Sequence, residues 1–149
     1  FRNAVRSMCT TACSDNEIDA IWNAMLVAIP IEKLHFLIEL RKRYKVCLLS
    51  NTNEIHWDYI VAHFFFFLCI KPEACFDYIF LSYKMKEKKP NSAIYQKALE
   101  TGNMRPEETL FIDDLKENCQ AAAALGIQTI HFTPGRSLPA AVCNFLTTQ

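Results

Sequence analysis

No apolar run in these 149 residues is long enough to cross a membrane as a helix: the longest, Phe64–Ile70, falls far short of the roughly 20 residues such a helix needs. The opening stretch Phe1–Arg6 has no apolar segment either, so a signal peptide is not expected there. Charge of neither sign is in excess, since 16 Lys and Arg balance 16 Asp and Glu. That removes the broad positive field that would draw nucleic acid or an anionic lipid surface, and any anion site must be local. Glycine and proline together number only nine, too few for long disordered linkers. No C-x-x-C pair occurs among the seven cysteines (Cys9, Cys13, Cys47, Cys69, Cys75, Cys119, Cys143). Their odd number and the placing of several inside apolar runs read as small buried hydrophobes in a reducing compartment, and a cytoplasmic location follows by default. There is no G-x-G-x-x-G and no P-loop, which disfavours generic nucleotide binding.

What is present describes about one domain of alternating helices and strands. Ser14–Glu17 has the S-x-x-E spacing of a capping box, and Ile18, Ile21, Trp22, Met25 and Leu26 recur at helical intervals after it. A second helix is expected from Pro30, with Leu34, Leu37, Ile38 and Leu40 as its inner stripe. Val46–Leu49 is short, apolar and uninterrupted, as a strand buried on both faces is. Helix is expected again from Glu54 to about Phe66, then strand at Tyr78–Leu81, a helix opened by Pro90 and Asn91 and ended by Gly102, strand at Thr109–Ile112, helix from Lys116 to Leu125 closed by Gly126, strand at Gln128–His131, and a last short helix from Pro139 to Leu146. Such alternation predicts an α/β fold with a parallel sheet under helices. The tetrad Phe64–Phe67 is expected to pack near a helix end.

In sheets of this kind ligands bind beyond the carboxyl ends of the strands. Ser50, Ser82 and the pair Asp113, Asp114 all fall at such ends. Two adjacent carboxylates at the end of a buried strand repel each other and are costly to desolvate, so a divalent cation is their natural partner, with Asp capping of the next helix as the alternative. Mg²⁺ suits them, because it takes one or two carboxylates together with phosphate oxygens and water. Ser50 lies where a strand passes into a helix, and the amides there can cradle a phosphate. Lys89 offers a point charge suited to phosphate, with Pro90 fixing the backbone after it, whereas Lys84, Lys86 and Lys88 read as a solvated face. His56, Trp57 and His63 read as packing residues and are left out of the site.

The order Leu48-Leu-Ser-Asn-Thr52, then Lys89-Pro90 with Ile94 and Tyr95, then Phe111-Ile-Asp-Asp114 with Asn118 and an Ala-rich helix ending at Gly126, resembles the haloacid dehalogenase-like hydrolases from about residue 14 to 132. It looks most like the sugar-phosphate phosphatase branch with a small helical cap. The resemblance implies a Rossmann-like core over residues 45–149, and in residues 1–44 part of a helical cap and its linker helix. It implies that Ser50, helped by Asn51, binds the phosphoryl group, that Lys89 neutralises charge in the transition state, and that Asp114 with Asp113 beside it holds Mg²⁺, supported by Asn118. The substrate would be a small phosphorylated metabolite such as a sugar phosphate.

The family's first motif, D-x-D-x-[TV], supplies the nucleophile of an aspartyl-phosphate mechanism, and no D-x-D occurs in this sequence. By the resemblance its strand belongs at the centre of the sheet, between those ending at Ser50 and Asp113. The chain is therefore expected to be the C-terminal portion of a longer enzyme, inactive alone and poorly stable, with two open strand edges and an apolar slot. The competing expectations are a non-catalytic module on this fold, or phosphomutase or dehalogenase chemistry; dehalogenation needs no metal, so the Asp pair counts against it. One further departure is Lys86, where the family has glycine three residues before its lysine.

Overall fold

The computed structural model describes residues 1–133 and 135–147. Three helices come before any strand, one more than the apolar stripes suggest: α1 (Arg2–Arg6), α2 (Asp15–Asn23) and α3 (Ile31–Arg41). The capping box forms, with Ser14 Oγ accepting from the Glu17 N–H and Glu17 Oε2 accepting from the Ser14 N–H at 2.9 Å. Then follow β1 (Cys47–Ser50) and α4 (Glu54–Tyr59), which runs on into a π-helical turn over Ile60–Phe65. After them come α5 (Pro72–Cys75), β2 (Tyr78–Leu81), α6 (Ser82–Met85), α7 (Ser92–Gly102), a 3₁₀ turn at Pro106–Glu108, and β3 (Leu110–Asp113). The series closes with α8 (Lys116–Ala123), β4 (Gln128–His131) and α9 (Leu138–Thr147). The fold is α/β, as expected, and the strand limits differ from the expected ones by one residue at most.

Some local details differ for clear reasons. Gly102 is the last residue of α7, and the left-handed turn after it is made by Asn103 at φ 46°, the non-glycine residue that best tolerates that conformation. Lys86 takes the left-handed conformation at φ 56°, so the turn before Lys89 keeps its shape without glycine. Only Phe65 of the Phe64–Phe67 tetrad is buried, while Phe66 and Phe67 are about three-quarters exposed, because successive helical residues point about 100° apart. Of the cysteines, Cys75 and Cys119 are buried as expected, whereas Cys9, Cys69 and Cys143 are exposed.

The strands form two half-sheets. β1 pairs in parallel with β2 and β3 with β4, and no ladder joins β1 to β3 among the described residues. A cleft of about 1280 Å³ separates them, lined by Val46–Leu49 on one side and Leu110–Ile112 on the other. The slot expected at the sheet's centre is thus present. Two apolar clusters cover the sheets: Leu48 joins Leu34, Val46, Phe65 and Phe76, while Leu49 joins Ile94, Tyr95, Leu99 and Ala122. Successive strand residues point to opposite faces, so α3 and α7 cover the two sides. Phe111 of β3 packs into the α7 cluster as well, which makes α7 the element spanning both halves. Burial of Ile94 and Tyr95, at 0% and 2% exposure, contributes about 1.5–3 kcal/mol for each such side chain.

Candidate functional site

The carboxyl ends of β1 and β3 lie at one rim, and Lys89 bridges them. Its Nζ donates to the Leu49 carbonyl at 2.8 Å and to Asp113 Oδ2 at 2.8 Å, and the two side chains are 10% and 6% exposed. An ion pair so far from water is favourable only if the remaining lone pairs and protons are also matched. On the carboxylate side they are: Asp113 Oδ1 accepts from Asn118 Nδ2 and from the Leu115 N–H, both at 2.9 Å. Burial pushes the Asp113 carboxyl upward, but the bonds from Lys89, Asn118 and Leu115 and the charge of Lys89 outweigh it and leave the group below the ordinary carboxylate range.

Lys89 is itself clamped. Asn51 Oδ1 accepts from the Lys89 N–H at 2.8 Å, and Asn51 Nδ2 donates to the Lys89 carbonyl at 2.9 Å. Ser50, half-buried at the end of β1, is bonded to Asn51 on one side and to Leu49, whose carbonyl Lys89 holds, on the other. Hence the three sequence-distant segments Leu49–Asn51, Lys89 and Asp113–Asn118 are joined by hydrogen bonds into one cluster. The loop after Ser50 differs from expectation in one respect. The Thr52 N–H is occupied by Ser82 Oγ at 2.9 Å, and the same hydroxyl donates to the Thr52 carbonyl, so that amide does not face a ligand. The next helix is capped by Asn53, whose Oδ1 accepts from the His56 N–H.

Asp114 differs from its neighbour. It is exposed, and among the described residues its carboxylate makes no hydrogen bond or ion pair. His131 Nε2 lies 2.9 Å from the Asp114 carbonyl, an acceptor only, so that nitrogen carries the proton in this contact. Asn118 Oδ1 is buried without a partner among the described residues. The donors on offer beside Asp113 are therefore hard oxygens, as Mg²⁺ prefers. No group of three His, Cys, Asp or Glu side chains able to hold a metal exists among the described residues, so a cation here completes its shell with water or ligand oxygens.

Two contributors escaped the sequence reading. Tyr95, quoted there only as part of the motif after Lys89-Pro90, donates its hydroxyl to the Asn118 carbonyl at 3.0 Å and so pins the residue that holds Asp113. Burial, with the nearby charge of Asp113 next, raises its phenol to about 12. Ser82 was visible as a polar residue at a strand end, but its tie to Thr52 depends on two strands being adjacent. His56 packs as expected: its ring stacks on Trp22 at 5.2 Å and its Nε2 contacts the Trp22 carbonyl, which binds α2 to α4.

Comparison with known proteins fits this geometry. The family model described as haloacid dehalogenase-like hydrolase matches residues 31–132. A D-ribitol-5-phosphate phosphatase of Bacteroides thetaiotaomicron is 29% identical over 129 residues, 87% of this chain and 63% of the relative. A HAD family enzyme of the same organism, solved as the wild-type protein with magnesium and inorganic phosphate, superposes with a TM-score of 0.90 at 41% identity, over 94% of this chain and 71% of that one. A HAD-like family hydrolase of Porphyromonas gingivalis gives 0.91 at 29% identity, over 99% and 72%. The chain thus spans under two thirds of the length of the phosphatase it matches.

Proposed function

The chain belongs to the haloacid dehalogenase-like hydrolases, and from that premise we propose that it forms the phosphate- and metal-binding part of a Mg²⁺-dependent phosphomonoesterase acting on a small phosphorylated polyol or sugar. The observation that carries this reading is the buried Lys89–Asp113 pair at 2.8 Å, placed beside Ser50 and the unpaired carboxylate of Asp114. The relatives support the chemistry, since one is a ribitol-phosphate phosphatase and another holds magnesium and phosphate.

In this reading Ser50 and Asn51 receive the phosphoryl oxygens, and Lys89 offsets the charge that builds on them. Asp114 is the direct metal ligand, with Asp113 held beside it by Lys89 and Asn118. A bound Mg²⁺ supplies Lewis-acid neutralisation of phosphate oxygens. Residues 1–44 serve as part of the cap with its linker helix, and residues 45–149 as the core. Attack on phosphorus through an aspartyl-phosphate needs a carboxylate that no D-x-D of these 149 residues provides. In this reading the attacking carboxylate is supplied from outside these 149 residues, which by themselves release no phosphate. That missing motif also favours a second reading, a silent binding module. Against it stands the joint retention of Ser50, Lys89 and Asp114, which a protein relieved of catalysis has no physical need to keep.

The test is phosphate release from a panel of sugar and pentitol phosphates, measured with and without the sequence encoded upstream of Phe1, with and without Mg²⁺, and with Asp114→Asn. Turnover is expected only in the extended, metal-loaded protein with Asp114 intact. Metal-independent turnover would overturn the assignment of roles.

A further inference from the structure

Two cysteines at the corner between α1 and α2 are held by a single residue, Arg6. Its carbonyl accepts from the Cys9 N–H at 3.2 Å, and its side-chain Nε donates to the Cys13 carbonyl at 3.0 Å. The rest of the guanidinium is engaged too, by Asn3 Oδ1 at 2.8 Å and by the Asp15 carboxylate. Arg2 makes two bonds to Asp19, at 2.8 and 2.7 Å, so the first and last residues of α1 are both tied to α2. Residues 7–14 are therefore a closed corner and not a free loop.

Within that corner the two thiols meet. The Cys9 S–H has two acceptors, the Val5 carbonyl at 3.4 Å and the Cys13 sulfur. The bond with Cys13, with burial next, holds the Cys9 thiol above its ordinary value, against the opposing charge of Arg6. Cys9 thus keeps its proton and offers it to the Cys13 sulfur, an arrangement that favours the thiolate at Cys13, and the thiolate is the reactive form. Cys9 is exposed and Cys13 half-buried, so a small reagent reaches both. Among the described residues no other cysteine has this setting. Cys75 and Cys119 are buried, and burial pushes both thiols up. The half-buried Cys47 meets the Met104 thioether at 3.8 Å, which cannot form a disulfide.

We propose that Cys9 and Cys13 are a dithiol oxidation site, which a small-molecule disulfide converts into an intramolecular bridge across the corner. The Cys13 thiolate attacks one sulfur of the small disulfide and expels the other as a thiolate, which takes up the proton that Cys13 released. Cys9 then gives up its proton and attacks the Cys13 sulfur of the mixed disulfide, expelling the second small thiol. Two electrons and two protons pass from the protein to the small disulfide, which leaves as two thiols. Arg6 speeds the closing step by holding the sulfurs within reach, because groups already positioned avoid most of the entropic cost of meeting. None of this chemistry involves the phosphate site.

For the test, the 149-residue chain is incubated with oxidised glutathione, alkylated, digested with trypsin and weighed by mass spectrometry. Cleavage after Arg6 and Lys33 leaves residues 7–33 as one peptide that holds Cys9 and Cys13 and no other cysteine. That peptide should lose two hydrogens and resist alkylation, whereas the exposed Cys69 and Cys143 should carry at most a glutathione adduct. Cys9→Ser should trap glutathione on Cys13, and Cys13→Ser should leave Cys9 largely unmodified. Arg6→Ala removes the side-chain tie and should slow closure by about two- to tenfold, the effect of about one hydrogen bond. Unfolding the native chain in concentrated urea should slow closure at least as much, which checks the reasoning without any substitution. A 7–33 peptide that gains glutathione but never loses two hydrogens, or closure as fast in urea or in Arg6→Ala as in the folded native chain, would each overturn the proposal.

Discussion

Replacing Lys89 by Met keeps the length and apolar stem of the side chain and deletes one charge. The structure fixes what is left behind: Asp113 at 6% side-chain exposure with Oδ2 unpaired, and a Leu49 carbonyl without its donor. Removing one partner of a buried ion pair costs about 3–5 kcal/mol, most of it the penalty for the stranded charge. At a urea slope of about 2 kcal/mol/M, that moves the unfolding midpoint down by about 2 M. Trimethylamine N-oxide added equally to both proteins places the loss on a measurable baseline. In the double variant Lys89→Met/Asp113→Asn no charge is stranded, and about 2–3 kcal/mol should return.

The pH dependence gives an independent check. In the native protein the Asp113 carboxyl is held below the ordinary range despite its burial. Its contribution is therefore complete above the unfolded value of about 3.9 and is lost as pH falls through the folded value. Without Lys89 burial is no longer outweighed by that partner, and protonation relieves the penalty. The stability gap between native and Lys89→Met proteins should accordingly narrow as pH falls through the carboxylate range. A midpoint shift of under about 0.5 M in urea, or a gap independent of pH, would refute the view of Lys89–Asp113 as a buried, mutually dependent pair.

Asn51→Ala removes both bonds that clamp Lys89, at about 0.5–1.5 kcal/mol each, so a loss of about 1–3 kcal/mol is expected in the same urea assay, and no loss would show that the clamp is not formed in solution. Tyr95→Phe removes the side-chain donor to the Asn118 carbonyl, which keeps its place in the α8 hydrogen-bond ladder, and should cost about 0.5–1.5 kcal/mol. Because its phenol is raised to about 12, the native protein should also begin to lose stability above about pH 10 as the folded value is approached, an alkaline loss absent in the Phe variant. Lys86→Gly relieves a left-handed non-glycine residue and should raise stability by about 0.5–1 kcal/mol; a fall in thermal midpoint would show that the Lys86 side chain does more than fill the turn.

Local signals read correctly wherever a short stretch settles its own structure. The capping box at Ser14–Glu17, the apolar runs at Tyr78–Leu81 and Gln128–His131, and the Asn91 helix start follow from steric and hydrogen-bonding preferences of a few adjacent residues. The same holds for Ser50 and Asp113–Asp114 as groups at strand ends, because alternation of strand and helix places every such end at one rim. Only the folded chain decided how they divide the work. Adjacent in sequence, Asp113 and Asp114 are alike on paper, yet strand alternation turns one inward to Lys89, Asn118 and the Leu115 N–H and the other outward to solvent. The sequence by itself determined an α/β chain with acid and hydroxyl at the strand ends and a lysine before a helix start, since those properties are carried by single segments. The tertiary structure alone decided that Tyr95 supports the site, that Lys89 holds the Leu49 carbonyl, and that the sheet is parted by a strand-wide cleft, because each depends on segments about 20 to 60 residues apart meeting in space.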